Sequence, residues 1–149
     1  MDCSRSSKIA SSRWSSLLAA FLAVGTASAA ALSVFEDAEK VDLPAAAVNP
    51  DQARLVLDIT FAPGWHLNPE APFKYSLDGA KIVSLKKPRL PLRLALAAAR
   101  KSAIDVGVVM AYCRNDGKGV CKQKRVLFHQ PLRPDPKGPD KVTIHYKAD

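Results

Sequence analysis

The chain has 149 residues, of which 22 are basic and 14 acidic, for a formal net charge of +8, and 48% of its residues are hydrophobic. That length supports one domain with a real core and excludes two comfortable ones. Inside a cell the basic excess would point to nucleic acid; in an exported chain, as the N-terminus suggests, it fits a soluble basic surface or one that favours acidic partners, and no nucleic-acid role is expected.

Arg5, Lys8 and Arg13 precede the apolar run Leu17–Val24, and Ala27-Ser28-Ala29 follows it. Positive charge, a short apolar run and a small-residue site, in that order, read as a secretory signal peptide over residues 1–29, cleaved after Ala29. The run is too short and too rich in Ala and Ser for a stable membrane span. Cleavage removes Cys3, three basic residues and one acidic one, leaving a net +6 and two cysteines, Cys113 and Cys121. Export puts that pair in a compartment where disulfides form, so the expected localisation is periplasmic or otherwise exported.

Residues 30–40 show no clear period and read as a tether, with the domain proper at 41–149. Val41–Val48 contains Pro44, which suits an edge strand. Arg54–Phe61 places Leu55, Leu57, Ile59 and Phe61 on one parity, the period of a half-buried strand. Trp65–Leu77 holds two prolines, which exclude a continuous helix, and reads as a short strand, a fixed loop and a second strand before the Asp78-Gly79 turn. A further strand is expected over Ile82–Lys86, and Leu92–Lys101 is read as strand then loop. Pro131–Pro139 holds four prolines and reads as a loop, and Val142–Tyr146 reads as the last strand. Short strands with turn-rich joints and little helix make an all-β sandwich.

The stretch Ala103–Pro131 organises the rest. Ile104, Val106, Val108, Met110 and Tyr112 share one parity, Asp116-Gly117 and Gly119 supply a tight turn, and Cys121 opens a return strand. A hairpin symmetric about Gly117 sets Cys113 opposite Cys121, Val108 opposite Val126, Val106 opposite Phe128 and Asp105 opposite His129. Directly opposed Cα atoms lie ~4.5 to 5.5 Å apart, a span that a disulfide tolerates. The cysteines fall on the parity opposite the core residues, the less buried face. Such a bond is either a staple, worth roughly 2.5 kcal/mol for so short a loop, or a pair that exchanges with other thiols. Arg114, Lys118, Lys122, Lys124 and Arg125 either favour a thiolate nearby or are simply a solvated basic surface.

Gly64-Trp65-His66-Leu67-Asn68-Pro69-Glu70-Ala71-Pro72, followed by Tyr112-Cys113 and Cys121 on a hairpin, resembles the N-terminal domain family of the thiol:disulfide interchange protein DsbD. The branch found beside thioredoxin-like and NHL-repeat modules is the most similar, and the likeness runs from about Val41 to Leu132. It implies an immunoglobulin-like β-sandwich whose redox pair, Cys113 and Cys121, takes electrons from a thioredoxin-like or membrane thiol donor and passes them to other exported proteins. The seven residues between the cysteines make a longer loop than the DsbD domain has, and no stretch matches its aromatic cap, for which Phe73 and Tyr75 are the candidates here. No thioredoxin-like or membrane domain is evident, so the donor is expected to be a separate protein.

Cofactors and metals are not expected. Cys113, Cys121 and His129, with Met110, make no recognised metal spacing. His129 is expected to pair with Asp105 across the hairpin. His66 is expected to be structural, with proton transfer open to it only where the fold brings it to the cysteines. A non-catalytic interaction module with a structural disulfide is the alternative function.

Overall fold

A computed structural model describes residues 34–96, 101–116 and 119–149. The signal segment 1–29 lies outside the described residues. Ten strands follow in chain order: β1 (Glu39–Asp42), β2 (Ala46–Val48), β3 (Arg54–Phe61), β4 (Trp65–Leu67), β5 (Phe73–Leu77), β6 (Val83–Leu85), β7 (Leu92–Ala95), β8 (Ala103–Arg114), β9 (Cys121–Pro134) and β10 (Lys141–Ala148). They form the expected all-β sandwich. The larger, seven-stranded sheet runs β1-β9-β8-β5-β6, with β2 also on β9 and β4 also on β8; the smaller runs β10-β3-β7.

Alternation within each strand explains why the sheets face each other. The β8 residues Ile104, Val106, Val108, Met110 and Tyr112 are all buried, as are Val126 and Phe128 on β9. They meet Leu55, Leu57 and Ile59 of β3 and Val142 and Ile144 of β10 in one core. One face of each sheet thereby leaves water, which is the main driving force for the fold. Three further contacts close an edge of the sandwich. Lys124 of β9 lies 3.0 Å from Glu39 of β1 and 5.5 Å from the Tyr146 ring of β10, and Tyr146 Oη donates to Glu39 at 3.0 Å. Its hydrogen bonding with Tyr146 and then Glu39 raises the Lys124 pKa above the usual lysine value, against the lowering effect of burial.

Three segments differ from the sequence expectation. Within the expected tether 30–40, the described residues from 34 onward are not simply a tether, because Phe35 is buried and β1 already begins at Glu39. The Phe35 ring lies on Gly107, on the outward parity of β8, where an added Cβ would come within 2.5 Å of Cζ. Glycine makes this close approach possible, and a lone phenylalanine in an aperiodic stretch does not announce it.

The proline-rich stretch from Pro131 is not loop throughout, since β9 continues to Pro134. The expected edge strand Val41–Val48 is instead two strands, β1 and β2, both parallel to β9 and slipped by one residue relative to each other. The break between them, at Leu43–Ala45, coincides with Pro131, which has no N–H to offer. Buried Gln130 supplies the missing donor: its Nε2 donates to the Pro44 carbonyl at 2.8 Å and to the Pro131 carbonyl at 3.0 Å. Prolines in β9 are thus tolerated where the ladder is interrupted.

Gly107→Ala is expected to destabilise the domain by about 1–3 kcal/mol through overpacking against Phe35. Urea denaturation measures this, and the added cost should shrink in a Phe35→Ala background.

Candidate functional site

The β8–β9 hairpin has the register expected from the sequence. Cys113 opposes Cys121, Val108 opposes Val126, Val106 opposes Phe128 and Asp105 opposes His129. Arg114 N–H donates to the Val120 carbonyl at 2.9 Å, so the hydrogen-bonded rung is at 114/120 and the cysteines occupy the adjacent rung without its own pair of backbone bonds. Side chains are closest on such rungs, and Cys113 and Cys121 form a disulfide with Cα atoms 4.0 Å apart. Gly119 takes φ +66°, one of the positive angles the turn requires; Gly117 and Lys118 lie outside the described residues.

The two sulfurs are not equivalent. Cys113 is inside the sheet, between β4 and β9, and its residue is only 9% exposed. Cys121 stands at the start of the return strand and is exposed. A nucleophile from another molecule therefore has access at Cys121.

The reverse face of the same strand ends is aromatic and cationic. Tyr112 is buried, donates through Oη to the Asp149 carbonyl at 2.8 Å and meets Trp65 edge-on at 5.3 Å and Phe61 at 5.5 Å. Lys122 and Arg114 lie 4.9 and 5.8 Å from the Trp65 ring centre, within cation–π range. Of the basic residues near the pair, these two rest on Trp65, Lys124 is held by Glu39 and Arg125 pairs with Val109 further along the hairpin. Arg114 also lies 3.3 Å from Asp116.

Phe73 and Tyr75 do not shield the disulfide. Phe73 is buried in the core, and Tyr75 pairs with Val108, on the core parity of β8 and well along the strand from Cys113. His129 is likewise away from the cysteines, at the other end of the hairpin, where its Nδ1 lies 2.7 Å from Asp105 Oδ1. Among the described residues no group of three or more His, Cys, Asp or Glu side chains is placed to hold a metal.

His66 is the residue whose place the sequence left open. β4 pairs antiparallel with β8 on the edge away from β9, with Trp65 opposite Arg114, His66 opposite Cys113 and Leu67 opposite Tyr112. A three-residue strand is too short for its alternation to reveal either its partner or its register.

No protein-family model matches the chain, and no curated protein matches it. Among the described residues no helix is long and apolar enough to cross a membrane.

The hydrogen bond to Asp105 raises the pKa of His129 above the ordinary histidine value, helped by the charges of Asp105 and Asp42 and opposed by desolvation. Because the fold favours protonated His129, the pair adds stability below the ordinary histidine range, and that increment is lost as the pH rises through the raised folded value. In Asp105→Asn the His129 midpoint, followed by NMR, should fall back toward the ordinary value. The stability difference between wild type and variant should narrow as the pH increases.

Proposed function

We propose that the domain is an exported thiol:disulfide exchange module and that Cys113 and Cys121 are its redox pair. The observation that carries this is the asymmetric exposure of the disulfide: Cys121 faces solvent while Cys113 is largely enclosed. An incoming thiolate attacks Cys121 Sγ, the bond to Cys113 breaks, and the mixed disulfide is held on the exposed cysteine. Such an order suits a carrier, because the enclosed cysteine remains beside the mixed disulfide and resolves it without diffusing.

The electron donor is a thioredoxin-like or membrane thiol protein, and the acceptors are other exported proteins. Export rests on the signal-like order of residues 1–29, and membership of the DsbD N-terminal family rests on Gly64–Pro72 together with the cysteine hairpin. The all-β sandwich and the disulfide are compatible with both.

A second reading is favoured by the enclosure of Cys113: the bond closes the end of the longest ladder among the described residues, as a staple in an interaction module would. Equilibrium titration against glutathione separates the two. Exchange predicts a reduction potential above about −300 mV in the folded state, the upper limit typical of structural disulfides in secreted proteins. It also predicts that Cys113→Ala is captured by oxidised glutathione through Cys121 about tenfold or more faster than Cys121→Ala is through Cys113, since access limits the attack. A bond that resists reduction until the domain unfolds overturns the exchange function and leaves the staple.

A further inference from the structure

The disulfide is two members of a row of three. Across the larger sheet the order is His66, Cys113, Cys121, with His66 on the β4 side of Cys113 and Cys121 on the β9 side. Backbone hydrogen bonds lock the β4 register on both sides of His66: Asn68 N–H donates to the Ala111 carbonyl at 2.9 Å, and Asn115 N–H donates to the Gly64 carbonyl at 2.8 Å. His66 and Cys113 lie midway between these contacts, on a rung of the same hydrogen-bonded kind, where opposed Cα atoms are about 5.5 Å apart. Register partners project to the same face of a sheet, and His66 is exposed there.

Among the described residues few charges compete on that face. The next outward position of β8, Ala111, opposes Gln123, and the following one, Val109, lies between Lys74 and Arg125. Glu70 is in the loop after β4, its N–H donating to Asn68 Oδ1 at 2.9 Å. Arg114 and Lys122 belong to the opposite face, on Trp65. The imidazole is thus the titratable side chain in the row of the sulfurs, and it neighbours the enclosed one. That placement matters because Cys113 is only 9% exposed while Cys121 is exposed, so an adjacent side chain is well placed to exchange a proton with Cys113.

We propose, building on the exchange function above, that His66 is the proton donor and acceptor for the Cys113 sulfur. When a dithiol donor reduces the domain, its thiolate forms a bond to Cys121 Sγ and Cys113 Sγ leaves with the electron pair of the broken disulfide. The His66 imidazolium gives that thiolate a proton. The donor's second thiolate then attacks the donor sulfur of the mixed disulfide, releasing oxidised donor and Cys121 thiolate. When the reduced domain meets an acceptor disulfide, Cys121 thiolate attacks it and one acceptor sulfur leaves as thiolate. Neutral His66 takes the Cys113 proton, and the Cys113 thiolate attacks Cys121 Sγ, restoring the domain's disulfide and releasing the acceptor's second thiolate. Imidazole suits both halves, since it changes charge near neutral pH.

The test begins with the Cys113 thiol, titrated by the ultraviolet absorbance of its thiolate in a Cys3→Ser, Cys121→Ala background where it is the single thiol. Adding His66→Gln should raise its midpoint by about one pH unit, a tenfold loss of thiolate at a given pH. In the wild type, with no substitution, the His66 imidazole followed by NMR should titrate at different midpoints in the disulfide and dithiol states, because the coupling is reciprocal. His66→Gln should also lose the imidazole-dependent step in the pH profile of glutathione exchange. Unchanged midpoints in both titrations, in a protein that still exchanges, overturn the role of His66 and leave the exchange function standing. A wild type whose folded disulfide does not exchange at all overturns the exchange function, and this role with it.

Discussion

The antiparallel ladder between β8 and β9 is the constraint on which the rest of the structure depends. Its eleven register pairs run without interruption from Ala103↔Pro131 to Cys113↔Cys121. Because side chains alternate with a period of two, this single register decides which residues enter the core and which face outward. A slip of one residue that left β8 in place would turn Arg125 and His129 of β9 toward the core in place of Val126 and Phe128. It would also part the cysteines. Core formation and disulfide formation are therefore two consequences of one alignment, and the burial that favours the first holds the second in place.

Both edges of the ladder are then used differently. On the β9 side, β1 and β2 add in parallel and are interrupted where Pro131 removes a donor, with Gln130 satisfying the carbonyls left there. On the β8 side, β5 covers the middle of the strand and β4 its cysteine end. Enclosure of Cys113 follows from this arrangement, because β8 is paired on both sides at that position while β9 at Cys121 is paired with β8 alone. The difference in exposure between two bonded sulfurs is thus a property of sheet order. Outward positions also need not be wet: Phe35 folds over Gly107 and seals part of the face that alternation assigns to solvent.

Much of this was legible in the residues because it is local. The Asp-Gly turn signal and the alternation of Ile104, Val106, Val108, Met110 and Tyr112 specify the hairpin, its register and the Cys113–Cys121 and Asp105–His129 pairs, all within thirty or so residues. The alternation of Leu55, Leu57 and Ile59 likewise specifies β3 with its buried face. By contrast, counting prolines in Pro131–Pro139 misjudged β9, since a proline is compatible with a strand wherever its neighbour asks for no donor there.

The sequence by itself determined the all-β class, the strands with a clean period and the opposition of the two cysteines, because each of these follows from local alternation and turn chemistry. Tertiary structure decided which cysteine is enclosed, what stands beside it, and where Phe35, Phe73 and Tyr75 lie. Those outcomes depend on the pairing of strands such as β1 and β4, only three or four residues long and more than forty residues away along the chain from their partners. Segments that short carry too few apolar positions to encode a partner or a register, so their placement is set by the sheet edge that the long hairpin leaves open.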